Sequence, residues 1–334
     1  MSEKLKRFVP PPLRPLAARC TSTASVAMAY LYDFGRFMRY SSTHGHSISQ
    51  QNLASKLTET YHNIEKGLSL PSPRPGFGRD VIGRLIILLK QYRATYGEDH
   101  VTIAAVNALT AYQDFCVASG LTDRETPHAI EIRALLLETR YSGAGGAVTR
   151  TRQETLDAVE HVGDQFFEMR ASVRDFSPES VDEEKIRSAV RAAQKSPAVC
   201  NRQFSRVYVT TDRLRISEAL RIQGGARGFA DNVPALAVIT TNLRNFWHAG
   251  ERSQAWTDGG MFSMSFVLGL HAAGLGSVCL NWSKGSRVDR EFRRAFSIPE
   301  EEAIIMLVAF GNLKETYRVA ASPRPPLTRT LSEL

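Results

Sequence analysis

The chain has 334 residues, of which 43% are hydrophobic and 23% are charged, and its formal net charge at pH 7 is +8. These values exclude the disordered, collagen-like and disulfide-rich classes, and the length allows two domains. Four cysteines without a Cys-x-x-Cys pair indicate reduced thiols, as in a cytoplasmic protein, and offer no zinc-binding spacing.

The positive charge is compatible with a polyanionic partner, but it equally suits a pocket for a phosphorylated cofactor. Lysines and arginines are spread along the chain without a zinc-finger, helix-turn-helix or RNP-like signature, which argues against nucleic-acid binding. No run approaches the ~20 apolar residues of a membrane span, so we predict a cytoplasmic protein without one.

The first half of the chain is predicted to be helical. Residues 1–20 are basic and Pro-rich and predict an extended arm. Residues 21–140 predict a helical domain, because apolar residues recur at helical spacing and Pro- and Gly-rich turns separate the segments. Helical patterns are expected over about residues 24–67, 80–96, 100–119 and 127–138.

Residues 141–150 contain Tyr141-Ser142-Gly143-Ala144-Gly145-Gly146-Ala147 and predict a flexible linker. No apolar strand precedes these glycines, and no Gly-Lys-Ser/Thr follows them, which argues against a phosphate-binding loop. Residues 151–334 predict an α+β domain, because short apolar strands at 206–210, 235–240, 277–281 and 304–310 alternate with helices near 181–194 and 253–273.

The segment Arg170-Ala171-Ser172-Val173-Arg174 is the candidate anion clamp. In an extended stretch alternate side chains point the same way, so Arg170, Ser172 and Arg174 are expected on one face. Two guanidiniums and a hydroxyl suit a phosphate group, since arginine presents a fork of donors. Taken alone the pattern is weak, because a solvated basic turn has the same composition.

The evidence for an anion site becomes stronger when the clamp is considered together with the motifs that follow it, because six segments occur in a fixed order. They are residues 170–174, Ser196-Pro197-Ala198-Val199-Cys200-Asn201, Gly228 to Pro234, Asp258-Gly259-Gly260, Gly274 to Trp282, and Ser322-Pro323-Arg324-Pro325. In this order and spacing they resemble the nitroreductase family of flavin enzymes over about residues 166–327. The resemblance implies a nitroreductase-like α+β fold with a mixed central sheet flanked by helices, preceded here by an all-helical N-terminal region.

The resemblance also implies FMN as the cofactor and assigns residues to it. Arg170 and Ser172, with Ala171 between them, match the positions that grip the ribityl phosphate, and Arg174 matches a position toward the ring or the ribityl chain. Arg324 matches the late phosphate-binding arginine. The turn at Asn281 and Trp282 matches the one whose backbone N–H points at flavin N5, and Trp282 would place its ring at the edge of the flavin or at the mouth of the substrate site.

Pro197, Ala198, Val199 and Asn201 match the loop that reaches the flavin of the other subunit, which implies a homodimer with FMN at the interface. The family often has hydroxyl side chains where Ala198 and Val199 stand. Flavin contacts from this loop are therefore expected from backbone groups and Asn201.

The resemblance implies an FMN-dependent oxidoreductase that takes hydride from NADH or NADPH and passes it by ping-pong chemistry to a small organic acceptor. Two alternatives remain open, namely a flavin-dependent oxidase or dehydrogenase acting on a biosynthetic intermediate, and a non-catalytic flavin-binding or scaffold protein. No catalytic acid or base can be named from the sequence. No metal site is predicted, because His62 and Glu65 share a helix face without a second such pair.

Overall fold

The computed structural model describes residues 10–44, 49–138, 146–149, 151–160, 162–320 and 326–333. Most of the predicted linker 141–150 and the predicted cofactor residue Arg324 lie outside these described residues. The described helices are α1 (Arg14–Tyr40), α2 (Gln50–Leu68), α3 (Arg79–Tyr96), α4 (His100–Ala118), α5 (Ala129–Glu138), α6 (Arg152–Val159), α7 (Asp164–Met169), α8 (Glu183–Ala193), α9 (Arg213–Gln223), α10 (Gln254–Ala272) and α11 (Ser286–Phe296). The strands are β1 (Ser205–Thr210), β2 (Ala235–Asn242), β3 (Leu275–Asn281) and β4 (Glu302–Asn312).

The extended conformation predicted for residues 1–20 is wrong from Arg14 onward, where α1 already begins. Pro15 lies in the first turn of this helix, where its missing N–H has no intrahelical partner to lose and its fixed φ suits the helix. The proline-rich stretch therefore sets the start of a helix instead of preventing one. The N-terminal half of α1 is exposed almost throughout, whereas Arg36 and Phe37 near its C-terminal end are buried.

Helices α2 to α5 share one apolar core, as predicted for the first half of the chain. Ser49 and Asp99 cap α2 and α4, each within a capping box that satisfies backbone N–H groups at the helix start. The core contains Leu57, Leu85 and Leu109, which are fully buried. In the described chain α4 is long and apolar enough to span a membrane by length and composition, but 56% of its apolar window is buried within the protein, as in a core helix.

The second half contains a four-stranded sheet in the order β1-β2-β4-β3, and all three strand pairs are antiparallel. Among the described residues the parallel component of the predicted mixed sheet is one isolated bridge between Ser172 and Ser277. Alternate residues of β2 face opposite sides, as the two-residue period of a strand requires. Leu236 and Val238 pack toward α9 and α11, while Ala237 and Ile239 pack toward α8 and α10. The sheet is thus covered on both faces.

The helical half packs directly against the α+β half. Asn52 of α2 donates to the carbonyl of Arg244, and Ser55 donates to the carbonyl of Asn245 at 3.3 Å. The Cys200 thiol lies 3.7 Å from the Glu59 carboxylate. These contacts set α2 beside the segment that the sequence predicts to reach a flavin.

Candidate flavin site

The predicted clamp lies along β3, at one edge of the sheet. Arg170 follows the last residue of α7 with an extended backbone (φ −70°, ψ 107°). Ser172 bridges Ser277, and the Val173 N–H donates to the Ser277 carbonyl at 3.0 Å. The clamp is therefore held by main-chain hydrogen bonding to β3, as the extended conformation predicted for it allows.

The two guanidiniums of the clamp are available for an anion. Arg174 donates to the carbonyl of Ser172 at 3.3 Å, and neither Arg170 nor Arg174 forms an ion pair with a carboxylate of the described residues. The adjacent Asp175 is paired with Lys314 at 2.5 Å.

Gly276 allows the clamp to approach β3 closely. A Cβ atom at this position would lie 2.7 Å from Leu313 Cδ2 and 3.0 Å from Val173 Cβ. The contact with Leu313 is shorter than real Cβ contacts and the one with Val173 is tighter than most, so a larger residue here forces Leu313 and the clamp residue Val173 to shift.

The turn after β3 is the predicted position of the flavin N5 contact. The carbonyl of Asn281 accepts a hydrogen bond from Gln223 at 2.9 Å. The Trp282 indole packs edge-on against Phe292, with centroids 4.7 Å apart, and its Nε1–H donates to Asp289 Oδ1 at 2.7 Å. The half-buried ring of Trp282 is thus held by Asp289 and Phe292, and its expected place at the edge of the flavin or the mouth of the substrate site stays a prediction.

Asp289, in the first turn of α11, accepts hydrogen bonds from three side chains. Besides Trp282, it accepts from Arg293 Nε and from the Tyr32 hydroxyl, each at 2.7 Å. Burial by itself raises the pKa of Asp289, but these donors and the Arg293 charge outweigh it and hold the pKa below its ordinary value. Burial, followed by the hydrogen bond to Asp289, raises the pKa of Tyr32 to about 12.

The predicted partner loop has an unusual backbone. Cys200, Asn201 and Gln203 all adopt positive φ, at 50°, 53° and 51°. Each such residue costs on the order of 1 kcal/mol or more, so the surroundings must impose the conformation. Asp258 supplies one constraint, because its carboxylate accepts from the Val199 N–H at 3.1 Å.

Arg202 supplies the second constraint on the loop. Its side chain has no exposed surface, pairs with Glu251 and stacks over the ring of Trp247 at 4.2 Å. The same guanidinium donates to the carbonyls of Val199, at 3.3 Å, and Asn245. Burial raises the pKa of Glu251, yet the donors, first among them Arg202, bring that pKa below its ordinary value.

A cavity of about 470 Å³ lies between this loop and the helical half of the chain. Asn201 and Gln203 line it on the loop side, with the Gln203 amide donating to Asn201 at 2.7 Å. Tyr92 and Asp99 line the opposite side, where the Tyr92 hydroxyl donates to the Asp99 carboxylate at 2.6 Å. The Asn201 side chain thus faces a polar cavity within its own chain.

The clamp and the loop lie at opposite edges of the sheet. The clamp runs beside β3, whereas Pro197, Ala198, Val199 and Asn201 lead into β1. Three strand spacings of about 4.8 Å separate these edges by roughly 14 Å. The structure therefore brings Arg170, Ala171, Ser172 and Arg174 toward the Asn281 strand, but it does not bring the loop to the clamp within one chain.

Sequence reasoning missed the residues that hold these segments in place. Arg202 and Glu251 are 49 positions apart, and Tyr32 and Asp289 are 257 apart, so neither pair produces a local pattern. Asp258 stands in a motif that the sequence did single out, Asp258-Gly259-Gly260. Its role in anchoring Val199 follows only from the fold.

A family model matches this half of the chain. The model of the nitroreductase family matches residues 167–223 and 217–312. No curated protein matches the chain.

Solved structures also resemble the chain over about half its length. An FMN-dependent nitroreductase from Clostridium difficile is 18% identical, with a TM-score of 0.41, and the match covers 47% of this chain and 91% of that one. A nitroreductase with bound FMN from Desulfitobacterium hafniense is 20% identical, with a TM-score of 0.40 and coverages of 51% and 96%. Nitroreductase A from Vibrio parahaemolyticus is 17% identical, with a TM-score of 0.42 and coverages of 51% and 74%.

The family match begins at the end of α7 and ends with β4, so it includes the clamp, the loop and the turn after β3. Residues 1–166, with helices α1 to α6, lie outside it. The order of the matched motifs and the sheet between two helical layers agree with the resemblance seen in the sequence. The second half of this chain is therefore similar to the nitroreductase family over residues 167–312, and the helical region before it lies outside the family model.

Proposed function

We propose that the protein is an FMN-dependent oxidoreductase whose complete site forms between two copies of the chain. The observation that carries this proposal is the clamp, in which the guanidiniums of Arg170 and Arg174 lack carboxylate partners among the described residues and are held against β3. Such a donor set fits a phosphate group, because arginine forms paired, charge-assisted hydrogen bonds with phosphate oxygens.

Two further features fit the cofactor. Gly276 leaves the clamp room to lie against β3, where a Cβ atom would collide with Val173 and Leu313. In the loop, the Ser196 hydroxyl is buried and has no hydrogen-bond partner in the described chain, so it can serve a bound group. Arg324, by resemblance, adds a third arginine to the phosphate.

The residues divide the work of binding between the two ends of the cofactor. Arg170 and Ser172 hold the phosphate end, Arg174 lies toward the ribityl chain or the ring, and the backbone after Asn281 presents a donor to the ring. FMN when bound supplies an atom that accepts and returns a hydride. The protein contributes binding and orientation, since the Trp282 side chain is committed to Asp289 and Phe292.

The separation of the clamp from the loop supports a dimer. A flavin held at the β3 edge lies roughly 14 Å of sheet width from the loop of its own chain. A second copy can bring its Pro197 to Asn201 loop to that flavin, so that each site uses the clamp of one chain and the loop of the other. We propose NADH or NADPH as the electron donor and a small organic molecule as the acceptor, bound in turn.

An absorption spectrum of the purified protein tests the proposal. We expect flavin bands and, on anaerobic mixing with NADH or NADPH, loss of the absorption of oxidised flavin. Bound flavin that neither nucleotide reduces would point instead to an oxidase or dehydrogenase. A colourless protein that cannot be reconstituted with FMN would overturn the proposal and favour a scaffold.

A further inference from the structure

Helix α1 contacts α11, the helix that follows the turn after β3, although α1 lies outside the family match. Its Tyr32 hydroxyl donates to Asp289 Oδ2 at 2.7 Å. Four residues later, Arg36 donates to the carbonyl of Glu300 at 2.9 Å and to that of Glu302 at 2.8 Å. One face of α1 is therefore fixed to the segment that runs from the turn through α11 to β4.

Asp289 joins α1 to the turn through its two oxygens. Oδ2 accepts from Tyr32 and from Arg293 Nε, and Oδ1 accepts from Trp282 Nε1, with all three distances at 2.7 Å. The carboxylate is buried, with 5% of the residue exposed. A carboxylate that accepts several hydrogen bonds in a buried setting orients its donors, because each unmade bond leaves a costly unsatisfied group.

We propose that Asp289 is a positioning residue that couples α1 to the turn at Asn281 and Trp282. Tyr32 fixes the carboxylate from the α1 side, the carboxylate fixes the Trp282 indole, and the indole sets the backbone of the turn. The part of this inference that concerns FMN rests on the proposed function, since it requires the turn to face the flavin ring. In that case α1 influences flavin reactivity without touching the cofactor.

The arrangement specifies which variants report on the coupling. Replacing Asp289 leaves Arg293 buried without its main partner, which by itself destabilises the fold. Tyr32→Phe removes only one donor and leaves Arg293 and Trp282 bound to the carboxylate. Tyr30→Phe is the matched control, because it makes the same change on the same helix at a residue that is 74% exposed.

The first measurement needs no cofactor. Indole N–H resonances of the three tryptophans are recorded by NMR in protein freed of flavin, and Trp282→Phe assigns one of them. We expect Tyr32→Phe to shift the Trp282 resonance and Tyr30→Phe to leave it in place. An unshifted Trp282 resonance in folded Tyr32→Phe protein overturns the coupling, whether or not the protein binds FMN.

The second measurement uses the flavin-loaded protein and a double-mutant cycle. Tyr32→Phe should retain the FMN content of the wild type, because the clamp is untouched, and should change the rate of flavin reduction by NADH or NADPH by about 3- to 10-fold. In a Trp282→Phe background, Tyr32→Phe should have little further effect on this rate, since the hydrogen bond between residue 282 and Asp289 is already absent. Equal effects in both backgrounds, or no rate change at all, would overturn the inference while the FMN content still supported the proposed function.

Discussion

Replacing Arg202 is expected to destabilise the α+β half strongly and to release the loop that precedes β1. Arg202→Met keeps much of the apolar stem but removes the guanidinium. The Glu251 side chain, which is only 13% exposed, then keeps only the N–H groups of Trp247 and His248 as donors. The carbonyls of Val199 and Asn245 each lose a donor as well. Breaking a buried pair on one side costs about 3 to 5 kcal/mol.

Thermal unfolding followed by circular dichroism measures this cost. At about 2 to 4 °C per kcal/mol for a domain of this size, the Tm should fall by roughly 6 to 20 °C. Arg187→Met is the control, because Arg187 pairs with Glu183 on the surface, where both side chains are more than 60% exposed, and such a pair contributes about 0 to 1 kcal/mol. Arg202→Met/Glu251→Gln should recover part of the loss, since no charge is then left unpaired. A loss below about 1 kcal/mol in Arg202→Met would refute the view that this residue imposes the loop conformation.

Two further predictions concern the clamp and the turn. Gly276→Val should lower FMN affinity, measured by fluorescence titration, because the new side chain displaces Val173. Gly260→Val is the control, since a Cβ atom at Gly260 meets no atom within 4 Å, and this variant should bind FMN as the wild type does. Equal FMN affinities of the two variants would contradict the assigned role of Gly276. The folded protein holds the pKa of Asp289 below its ordinary value of 3.8. The ionised Asp289 carboxylate therefore stabilises the fold above about pH 4, and this stabilisation is lost as the pH falls through the lowered pKa. The stability difference between wild type and Asp289→Asn in urea should therefore be largest near neutral pH and shrink below pH 4, and a difference independent of pH would contradict this.

Local sequence patterns predicted most of the fold. The strand expected at 235–240 is observed as Ala235–Asn242, and the helix expected at 100–119 as His100–Ala118, because periodicity and capping residues determine these elements locally. The prediction of an extended arm was wrong at Pro15, since proline is compatible both with an extended chain and with the first turn of a helix. The predicted strand boundaries also omitted the first residues of β3, where Gly276 meets the clamp.

The sequence predicted which segments form the candidate site, but it did not predict the residues that hold those segments in place. The pattern of residues 170–174 indicated an anion site without its attachment to β3, which depends on hydrogen bonds to Ser277 about a hundred positions away. The positive φ angle at Cys200 has no sequence signal, because glycine is the usual residue in that conformation, whereas asparagine, as at Asn201, adopts it more readily than most residues. The Trp282 ring was expected near the flavin, and only the fold reveals Asp289 and Phe292 as its partners.

The most direct test of the flavin assignment is an FMN titration of flavin-free protein with the clamp removed. Arg170→Ala/Arg174→Ala should fold as the wild type does, since neither guanidinium has a carboxylate partner among the described residues, and should bind FMN at least about 100-fold more weakly. Arg187→Ala, which removes a surface arginine from the same half of the chain, should bind FMN with unchanged affinity. An FMN affinity of the double variant within about threefold of the wild type would contradict the assignment of residues 170–174 as the phosphate site.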